Sequence, residues 1–230
     1  MKITYNSYSS KEHKETQDSQ MHQDAKLLDY MQAKSLLEKY GIKSIESAYI
    51  EKLDDLYNFL SGIDYSHVVL KAISEKALHK SKAGLVLKDV NMENAEVSYY
   101  DIIKRAKPYA PFKILAQRMA KPGIEIVIGG KEDSQFGKLI LLGLGGIYVE
   151  AFKDFSLRIC PIKRYDAKEM IDELKSKDVV TYNGKSKGLI IELLMKTSKL
   201  IEENEIKELD LNPIIIREKD YNAVDIRIIK

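Results

Sequence analysis

The strongest chemical signal is a run of oxygen-bearing side chains near the end of the chain. Glu208, Asp210 and Asn212 alternate with two leucines, so on a strand the three would share one face. Asp225 follows on what would be the returning arm of a hairpin. Carboxylate and amide oxygens grouped in this way suit Mg²⁺ that bridges nucleotide phosphates. A solvated face alternates in the same way, but it usually includes lysine, and this one gathers carboxylates and an amide.

Two basic features occur earlier in the chain. Lys71 ends an apolar segment, where a triphosphate would satisfy its charge, although a lysine at a strand end more often simply reaches solvent. His79, Lys80 and Ser81 form a polar cluster. A neutral imidazole can carry a phosphoryl group through a P–N bond, and the lysine and serine could bind the phosphate. The spacing alone favours the simpler interpretation, a polar loop that contains a histidine.

A glycine-rich stretch is the fourth feature, with Gly143, Gly145 and Gly146 ahead of Glu150. Glycines allow backbone N–H groups to approach phosphate oxygens closely, and a strand bend packed against a helix would explain them equally well. The sequence contains neither GxxxxGK[ST] nor a GxGxxG that opens a helix. Together the four features indicate a phosphoryl-transfer site outside the P-loop class.

The elements that would hold these groups divide into a polar tail and two lobes. The tail comprises residues 1–24, the smaller lobe 25–109 and the larger lobe 110–230. An amphipathic helix is expected from residue 25 to Gly41, followed by alternating strands and helices. Pro122-Gly123 is expected to be the turn of a hairpin between strands 114–119 and 124–128. Hairpins dominate the larger lobe, which predicts an α+β architecture with mainly antiparallel sheets.

Composition narrows the class of protein. The 230 residues include 37 basic and 35 acidic side chains, a near-balance that argues against broad wrapping of nucleic acid. The longest apolar stretch, 139–149, is shorter than a membrane span, and the N-terminus has no apolar signal core. The single cysteine, Cys160, excludes an internal disulfide. A protein of the reducing cytoplasm, with no membrane or nucleic-acid partner, is expected.

The order of short motifs resembles one family. VVLK, HKS, a Pro-Gly turn with an acidic strand residue, GLGGIYVE, Arg-x-x-Pro, ELDLNP and VDIRI follow one another over about residues 26–230. This order resembles the beta subunit of ADP-forming acetyl-CoA and acyl-CoA synthetases, relatives of the succinyl-CoA synthetase beta subunit. The resemblance implies an ATP-grasp fold, whose two lobes clasp ATP or ADP with Mg²⁺. It also implies the reversible reaction of acyl-CoA, ADP and phosphate to acid, CoA and ATP, and a CoA-binding alpha subunit in an α2β2 assembly.

The resemblance also implies roles for particular residues on the nucleotide side. Lys71 matches the lysine that contacts the phosphates, and Glu125 an acidic residue that faces the nucleotide. Asn212 and Asp225 match the Mg²⁺ ligands, and Asp210 an acidic position between them and the reacting phosphate. The segment beside the adenine is matched by Gln117, Arg118, Met119 and Ala120.

Two further matches concern the phosphoryl group itself. Arg158 matches an arginine with an expected role in phosphate binding. His79, next to Lys80 and Ser81, matches a second phosphorylated carrier histidine. Lys82 stands where the family usually has an aspartate, which could orient the imidazole. This departure puts the carrier role in doubt or assigns the orienting task to another acid.

Two other functions are compatible with the same sequence. One is a different ATP-grasp carboxylate ligase, which joins an acyl phosphate to an amine and needs no phosphohistidine. The other is a non-catalytic nucleotide-binding regulatory module. The intact set of Asp210, Asn212 and Asp225 argues against the second alternative.

Overall fold

The computed structural model describes residues 25–63, 67–76, 84–145 and 154–230. Its helices are α1 (Tyr30–Lys39), α2 (Leu53–Ser61), α3 (Ala95–Ala106), α4 (Arg164–Asp172), α5 (Lys177–Val180) and α6 (Lys187–Glu203), with a 3-10 turn at Lys107–Tyr109. Its strands are β1 (Ser47–Ile50), β2 (Val68–Ile73), β3 (Val86–Val90), β4 (Lys113–Arg118), β5 (Ile124–Asp133), β6 (Gly137–Leu144), β7 (Phe155–Ile159), β8 (Glu208–Arg217), β9 (Asp220–Ala223) and β10 (Ile226–Ile229).

The small lobe is built on a sheet with strand order β1-β4-β2-β3, in which all the pairings are antiparallel. One face of this sheet packs on α2 and α3. Leu70, Ala72 and Ala116 point to that side and are buried with Leu56 and Ile102 of the helices. The other face turns toward the large lobe, because Leu115 of β4 is buried in the core of that lobe.

The large lobe is built on a sheet with strand order β10-β8-β5-β6-β7, and β9 also pairs with β8. Helix α6 covers one face, where Gly130 permits a close approach: a Cβ at this position would lie 2.6 Å from Ile201 Cδ1. Leu209 and Leu211 point to this covered face and are buried. The sheet therefore keeps one face for its core and leaves the other open toward the small lobe.

Helix α1 comes first in the described chain, yet it packs in the core of the large lobe through Tyr30, Ala33 and Leu37. Asp29 caps its start, with Oδ1 accepting a hydrogen bond of 3.0 Å from the Met31 N–H. Gly41 ends the helical segment with φ of +65°, as the sequence predicted.

The lobe boundary differs from the expected one at residue 110. Strand β4 belongs to the small sheet, and β5 pairs with β6 and β8 instead of forming a hairpin with β4. Pro122-Gly123 is therefore the connection between lobes, and a Cβ at Gly123 would lie 2.4 Å from the Ile216 carbonyl oxygen. Turn residues identify a change of direction, but they do not identify the strand with which the next segment pairs.

The mainly antiparallel arrangement in two lobes confirms the predicted α+β fold class. Within the described ranges, the helices are too short or too polar to cross a membrane.

Candidate active site between the two lobes

An ion pair joins the two lobes at the predicted site. Lys71 Nζ lies 2.7 Å from Asp225 Oδ1. The lysine is 7% exposed, whereas the aspartate side chain is 50% exposed. Lys71 is paired across the small sheet with Leu115, which is buried in the large-lobe core, so its side chain points toward the large lobe. The sequence predicted a phosphate-binding lysine and a metal-binding aspartate, and the structure brings these two charges together.

Asp225 lies in the short connection between β9 and β10, and its backbone is tied to β8. The Asn212 N–H donates to the Asp225 carbonyl oxygen at 3.3 Å, and the Val224 N–H donates to the Pro213 carbonyl oxygen at 3.0 Å. These bonds place the two predicted metal ligands next to each other, although they are separated in sequence.

The acidic wall follows the alternation expected for a strand as far as Asn212. Glu208 and Asp210 are partly exposed on the open face of β8, opposite the buried leucines. At Pro213 the alternation slips, because β8 has one residue more than β5 between the pairs Ile128–Leu211 and Ile126–Ile214. The extra residue lies where the backbone of β8 is hydrogen-bonded to the connection that carries Asp225.

The pKa of Asp210 is raised above its usual value. Burial is the largest cause, followed by the negative charge of Glu208, and Asp225 adds to the effect. Arg227, which is paired with Asp210 on the neighbouring strand β10, opposes this rise in pKa. Its guanidinium also forms an ion pair with Glu208, with Nη1 2.5 Å from Oε1. The site thus holds more negative charge than its own cations balance, which favours a bound cation.

The donor set fits Mg²⁺ that is shared with a phosphate ligand. In the described ranges, no cluster of three or more His, Cys, Asp or Glu side chains is placed to hold a metal alone. Asn212 and Asp225 supply an amide and a carboxylate oxygen, and Mg²⁺ commonly takes one or two protein carboxylates and completes its shell with phosphate and water oxygens.

The residues of the predicted adenine-side segment, 117–120, differ in their burial and in their hydrogen-bond partners. Gln117 is 1% exposed, and the two N–H groups of its amide have three oxygen atoms of the protein within hydrogen-bonding distance. The Met119 N–H donates to the His67 carbonyl oxygen at 3.0 Å. Arg118 and Ala120 line a small polar cavity of about 120 Å³ together with Lys121. Arg118 Nε is buried and has no hydrogen-bond partner in the described part of the protein.

Glu125 and the glycines meet at the ends of β5 and β6. The Gly145 N–H donates to the Glu125 carbonyl oxygen at 2.7 Å, so this amide is already used within the protein. A Cβ at Gly145 would lie 2.9 Å from backbone carbons of Glu125 and Ile126, and one at Gly143 would lie 3.1 Å from the Asp154 carbonyl oxygen. Gly143 and Gly145 thus permit close packing against neighbouring strand and loop backbone, whereas the alternative considered from the sequence was a bend packed against a helix. Gly146 lies outside the described residues.

Arg158 is not brought together with the acidic wall. Arg158 on β7 is paired with Ile140 on β6, which is paired with Gly130 on β5, which in turn is paired with Leu209 on β8. Residues paired in this way lie on the same face, so Arg158 shares the helix-covered face of the sheet. Three strand spacings, about 14 Å, separate it from β8. Its guanidinium donates to both carboxylate oxygens of Glu173, at 2.6 and 3.0 Å. This hydrogen-bonded ion pair raises the pKa of Arg158 and lowers that of Glu173.

Two residues of the inter-lobe contact were missed by the sequence analysis. Tyr30 and Ser47 lie beside Gln117, and Ser47 on β1 is the residue paired with Gln117 on β4. Burial raises the pKa of Tyr30 to about 12, which keeps its phenol protonated. A tyrosine on an apolar helix face gives no signal of such a contact, because that pattern is typical of a core residue. The predicted carrier segment, His79, Lys80 and Ser81, lies outside the described residues.

Comparison with known proteins decides the family. Residues 19–229 match the model of the ATP-grasp domain. The II subunit beta of an ADP-forming acetate–CoA ligase from Pyrococcus furiosus is 37% identical over 211 residues, which cover 86% of this chain and 89% of the relative. The chain belongs to the ATP-grasp family of ADP-forming acetate–CoA ligase beta subunits. The recognition made from short motifs is thereby confirmed.

Solved structures of the same ATP-grasp family have the same fold. A complex of the dinucleotide-forming acetyl-coenzyme A synthetase 1 of Ca. Korarchaeum cryptofilum with coenzyme A and Ca-AMPCP superposes with a TM-score of 0.81 at 33% identity, covering 96% of this chain and 99% of that one. A second structure of that protein, with Mg-AMPPCP and a phosphohistidine segment pointing towards the nucleotide-binding site, gives 0.76 at 33% identity, covering 93% and 96%.

Other ATP-grasp relatives are parts of longer chains. The ADP-forming acetate–CoA ligase I of Archaeoglobus fulgidus is 35% identical over 203 residues, which cover 84% of this chain but 30% of that protein. The same ATP-grasp unit therefore occurs both as a separate beta subunit and within a larger polypeptide.

Proposed function

We propose that this chain is the nucleotide-binding subunit of an ADP-forming acyl-CoA synthetase, an acid–thiol ligase. The reaction is the reversible conversion of acyl-CoA, ADP and phosphate into acid, CoA and ATP. This subunit transfers the phosphoryl group between a histidine and the nucleotide. The observation that carries the proposal is the contact of Lys71 with Asp225, which places a phosphate-binding cation and a metal-binding anion at one point between the lobes.

In this proposal, binding of the metal–nucleotide complex breaks the ion pair. Phosphate replaces Asp225 as the partner of Lys71, and Mg²⁺ replaces Lys71 as the partner of Asp225. Lys71 donates to phosphate oxygens, and Asp225 with Asn212 holds Mg²⁺, which when bound offsets the charge of the phosphates. A lysine that is already buried beside its site needs little reorganisation when the ligand arrives. Asp210, on the open face between β5 and β10, adds negative charge that favours the bound cation. Catalysis then rests mainly on positioning and electrostatics.

The phosphoryl carrier proposed for this chain is His79, with Lys80 and Ser81 binding its phosphate. The phosphohistidine segment of the Ca. Korarchaeum cryptofilum protein supports the assignment, since that segment points towards a nucleotide-binding site. Lys82 replaces the usual neighbouring aspartate, so in this chain the imidazole depends on another acid for its orientation.

The acyl and CoA chemistry is assigned to a partner. The Pyrococcus furiosus relative is a subunit beta, and the Ca. Korarchaeum cryptofilum structures contain coenzyme A. We propose a CoA-binding alpha subunit and an α2β2 heterotetramer in the cytoplasm. The free, buried thiol of Cys160 suits a reducing compartment.

Labelling of the chain tests this function. The full chain is incubated with γ-labelled ATP and Mg²⁺, with and without the alpha subunit, and acid-labile label on the protein is measured. We expect label on the wild type and none on His79→Ala, at unchanged ATP affinity. Equal labelling of both proteins would assign the carrier elsewhere. Absence of label from both, even with the partner present, would favour a ligase that needs no phosphohistidine.

A further inference from the structure

A buried hydrogen-bond network lies directly behind the ion pair that joins the lobes. Gln117 Nε2 is 2.5 Å from the Tyr30 hydroxyl, 3.1 Å from the Val224 carbonyl oxygen and 3.3 Å from Ser47 Oγ. Ser47 Oγ in turn donates to the Ile45 carbonyl oxygen at 2.9 Å. These groups come from the small sheet, from α1 and from the connection before β10, so the network spans both lobes.

The position of the Val224 carbonyl gives the network its importance. This carbonyl belongs to the peptide group that links Val224 to Asp225, so a donor that fixes it restrains the backbone from which the Asp225 side chain leaves. Lys71 holds the carboxylate end of the same residue. Asp225 is therefore held at both ends from two adjacent strands of the small sheet, β2 and β4.

The composition of the network is unfavourable for a purely structural core. Gln117 Oε1 is buried and finds no hydrogen-bond partner among the described residues. A buried acceptor without a partner costs folding free energy, and an apolar side chain of the same size would avoid that cost. The amide group is therefore better explained by what its nitrogen holds than by the stability it supplies.

We propose that Gln117, supported by Tyr30 and Ser47, is a positioning residue that aims Asp225 at the metal and nucleotide site. The proposal rests on the proposed function, because it gives the network a role in metal binding at that same site. Gln117 acts through the Val224 carbonyl, which its amide nitrogen contacts at 3.1 Å. It fixes the backbone of a large-lobe metal ligand from the small lobe, so the metal affinity depends on how the two lobes are held together.

The test compares metal affinity with nucleotide affinity in the full-length chain. Gln117→Met keeps the size of the side chain and removes the donor, and Tyr30→Phe removes the hydroxyl beside it. Thr197→Val is the matched control, because Thr197 is fully buried in α6 and its hydroxyl donates to the Leu193 carbonyl oxygen. Mn²⁺ binding is measured by electron paramagnetic resonance with a non-hydrolysable ATP analogue, and binding of the analogue alone is measured by calorimetry.

Loss of a group that orients a metal ligand weakens metal binding by roughly tenfold. We expect this loss in Gln117→Met and a smaller one in Tyr30→Phe, with metal-free analogue affinity changed less than about twofold and Thr197→Val unchanged in both. Wild-type Mn²⁺ affinity in a folded Gln117→Met chain would overturn the positioning role and leave the proposed function intact. An equal loss of both affinities would overturn it as well. If the wild type binds no Mn²⁺ with the analogue, both proposals fail.

Discussion

Lys71 Nζ and Asp225 Oδ1 lie 2.7 Å apart although 154 residues separate them in the chain. One belongs to the small sheet and the other to the last connection of the large sheet. Each is the natural partner of one half of a metal–nucleotide complex, the lysine for phosphate and the aspartate for Mg²⁺. The ion pair neutralises both charges, and our proposal is that phosphate takes the place of Asp225 beside Lys71 while Mg²⁺ takes the place of Lys71 beside Asp225.

The first prediction concerns the lysine. Lys71→Met removes the buried cation, and we expect nucleotide affinity to fall at least about tenfold, because a charge-assisted hydrogen bond to phosphate is lost. Lys185→Met is the matched control, since the Lys185–Glu218 pair has a similar separation of 2.6 Å but both side chains are exposed on the surface. Isothermal titration calorimetry measures both variants. Equal nucleotide affinities in the two would remove Lys71 from the site.

A second prediction concerns Asn212, which supplies a neutral oxygen donor beside Asp225. Asn212→Ala should lower the rate of Mg²⁺-dependent phosphoryl transfer by roughly 10- to 100-fold, because the cation loses one of its two protein ligands. Asn58→Ala, at an exposed position on α2, changes the same residue type away from the proposed site and should retain the wild-type rate. The rate is followed by labelling with γ-labelled ATP. A wild-type rate in Asn212→Ala would contradict the ligand assignment.

The third prediction follows from the raised pKa of Asp210. An acid whose pKa is raised by folding costs free energy when it ionises, so the cost is present above that pKa and disappears as pH falls through it. We expect Asp210→Asn to raise the Tm at pH 8 by roughly 1 to 3 °C while impairing phosphoryl transfer, and the Tm difference to vanish in acid.

Asp133 provides the control of opposite sign. Backbone N–H groups of Gln135 and Phe136 lower the pKa of this exposed carboxyl, so its ionised form favours folding above the ordinary pKa. Asp133→Asn should therefore lower the Tm at pH 8 or leave it unchanged. Thermal unfolding of both variants from pH 4 to pH 8 measures the effect. A lower Tm for Asp210→Asn at pH 8 would show that the ionised Asp210 stabilises the fold despite its burial and its acidic neighbours.

A fourth prediction compares a glycine that lies against neighbouring backbone, Gly145, with one that has open space around it, Gly188. Gly145→Ala would press a Cβ against the backbone of Glu125 and Ile126, and we expect a loss of about 2 to 3 kcal/mol in the free energy of unfolding. Gly188→Ala meets no atom within 4 Å at the start of α6 and should stabilise the protein by up to about 1 kcal/mol. Urea unfolding distinguishes them. Equal effects would mean that the β5–β6 approach relaxes freely.

The wall on β8 was predictable because burial of Leu209 and Leu211 imposes a period of two on their neighbours. The slip was not predicted: it depends on an extra residue in β8 opposite β5, and Pro213, which cannot donate to the ladder, marks such an irregularity without giving the pairing. The same limit applies to Pro122-Gly123, where the turn was recognised but its role as a connection between lobes was not. Local patterns specify faces and turns, whereas pairing depends on the whole sheet.

Lys71 and Asp225 were each recognised as site residues, but their mutual contact joins elements that no local pattern links. Gln117 was expected beside the adenine, and its burial with Tyr30 became visible only in the structure. A side chain that hydrogen-bonds to a backbone carbonyl cannot be recognised from the sequence, because every residue has such a carbonyl.

Our central proposal is that Lys71 gives up its contact with Asp225 to bind phosphate, and that Asp225 gives up its contact with Lys71 to bind Mg²⁺. A double-mutant cycle with Lys71→Met, Asp225→Asn and the double variant tests it most directly, with ADP affinity measured by calorimetry with and without Mg²⁺. We expect Mg²⁺ to tighten ADP binding strongly in the wild type and hardly at all in Asp225→Asn, and the two substitutions to be non-additive. Mg²⁺-independent ADP binding in the wild type, or strictly additive losses, would contradict the exchange.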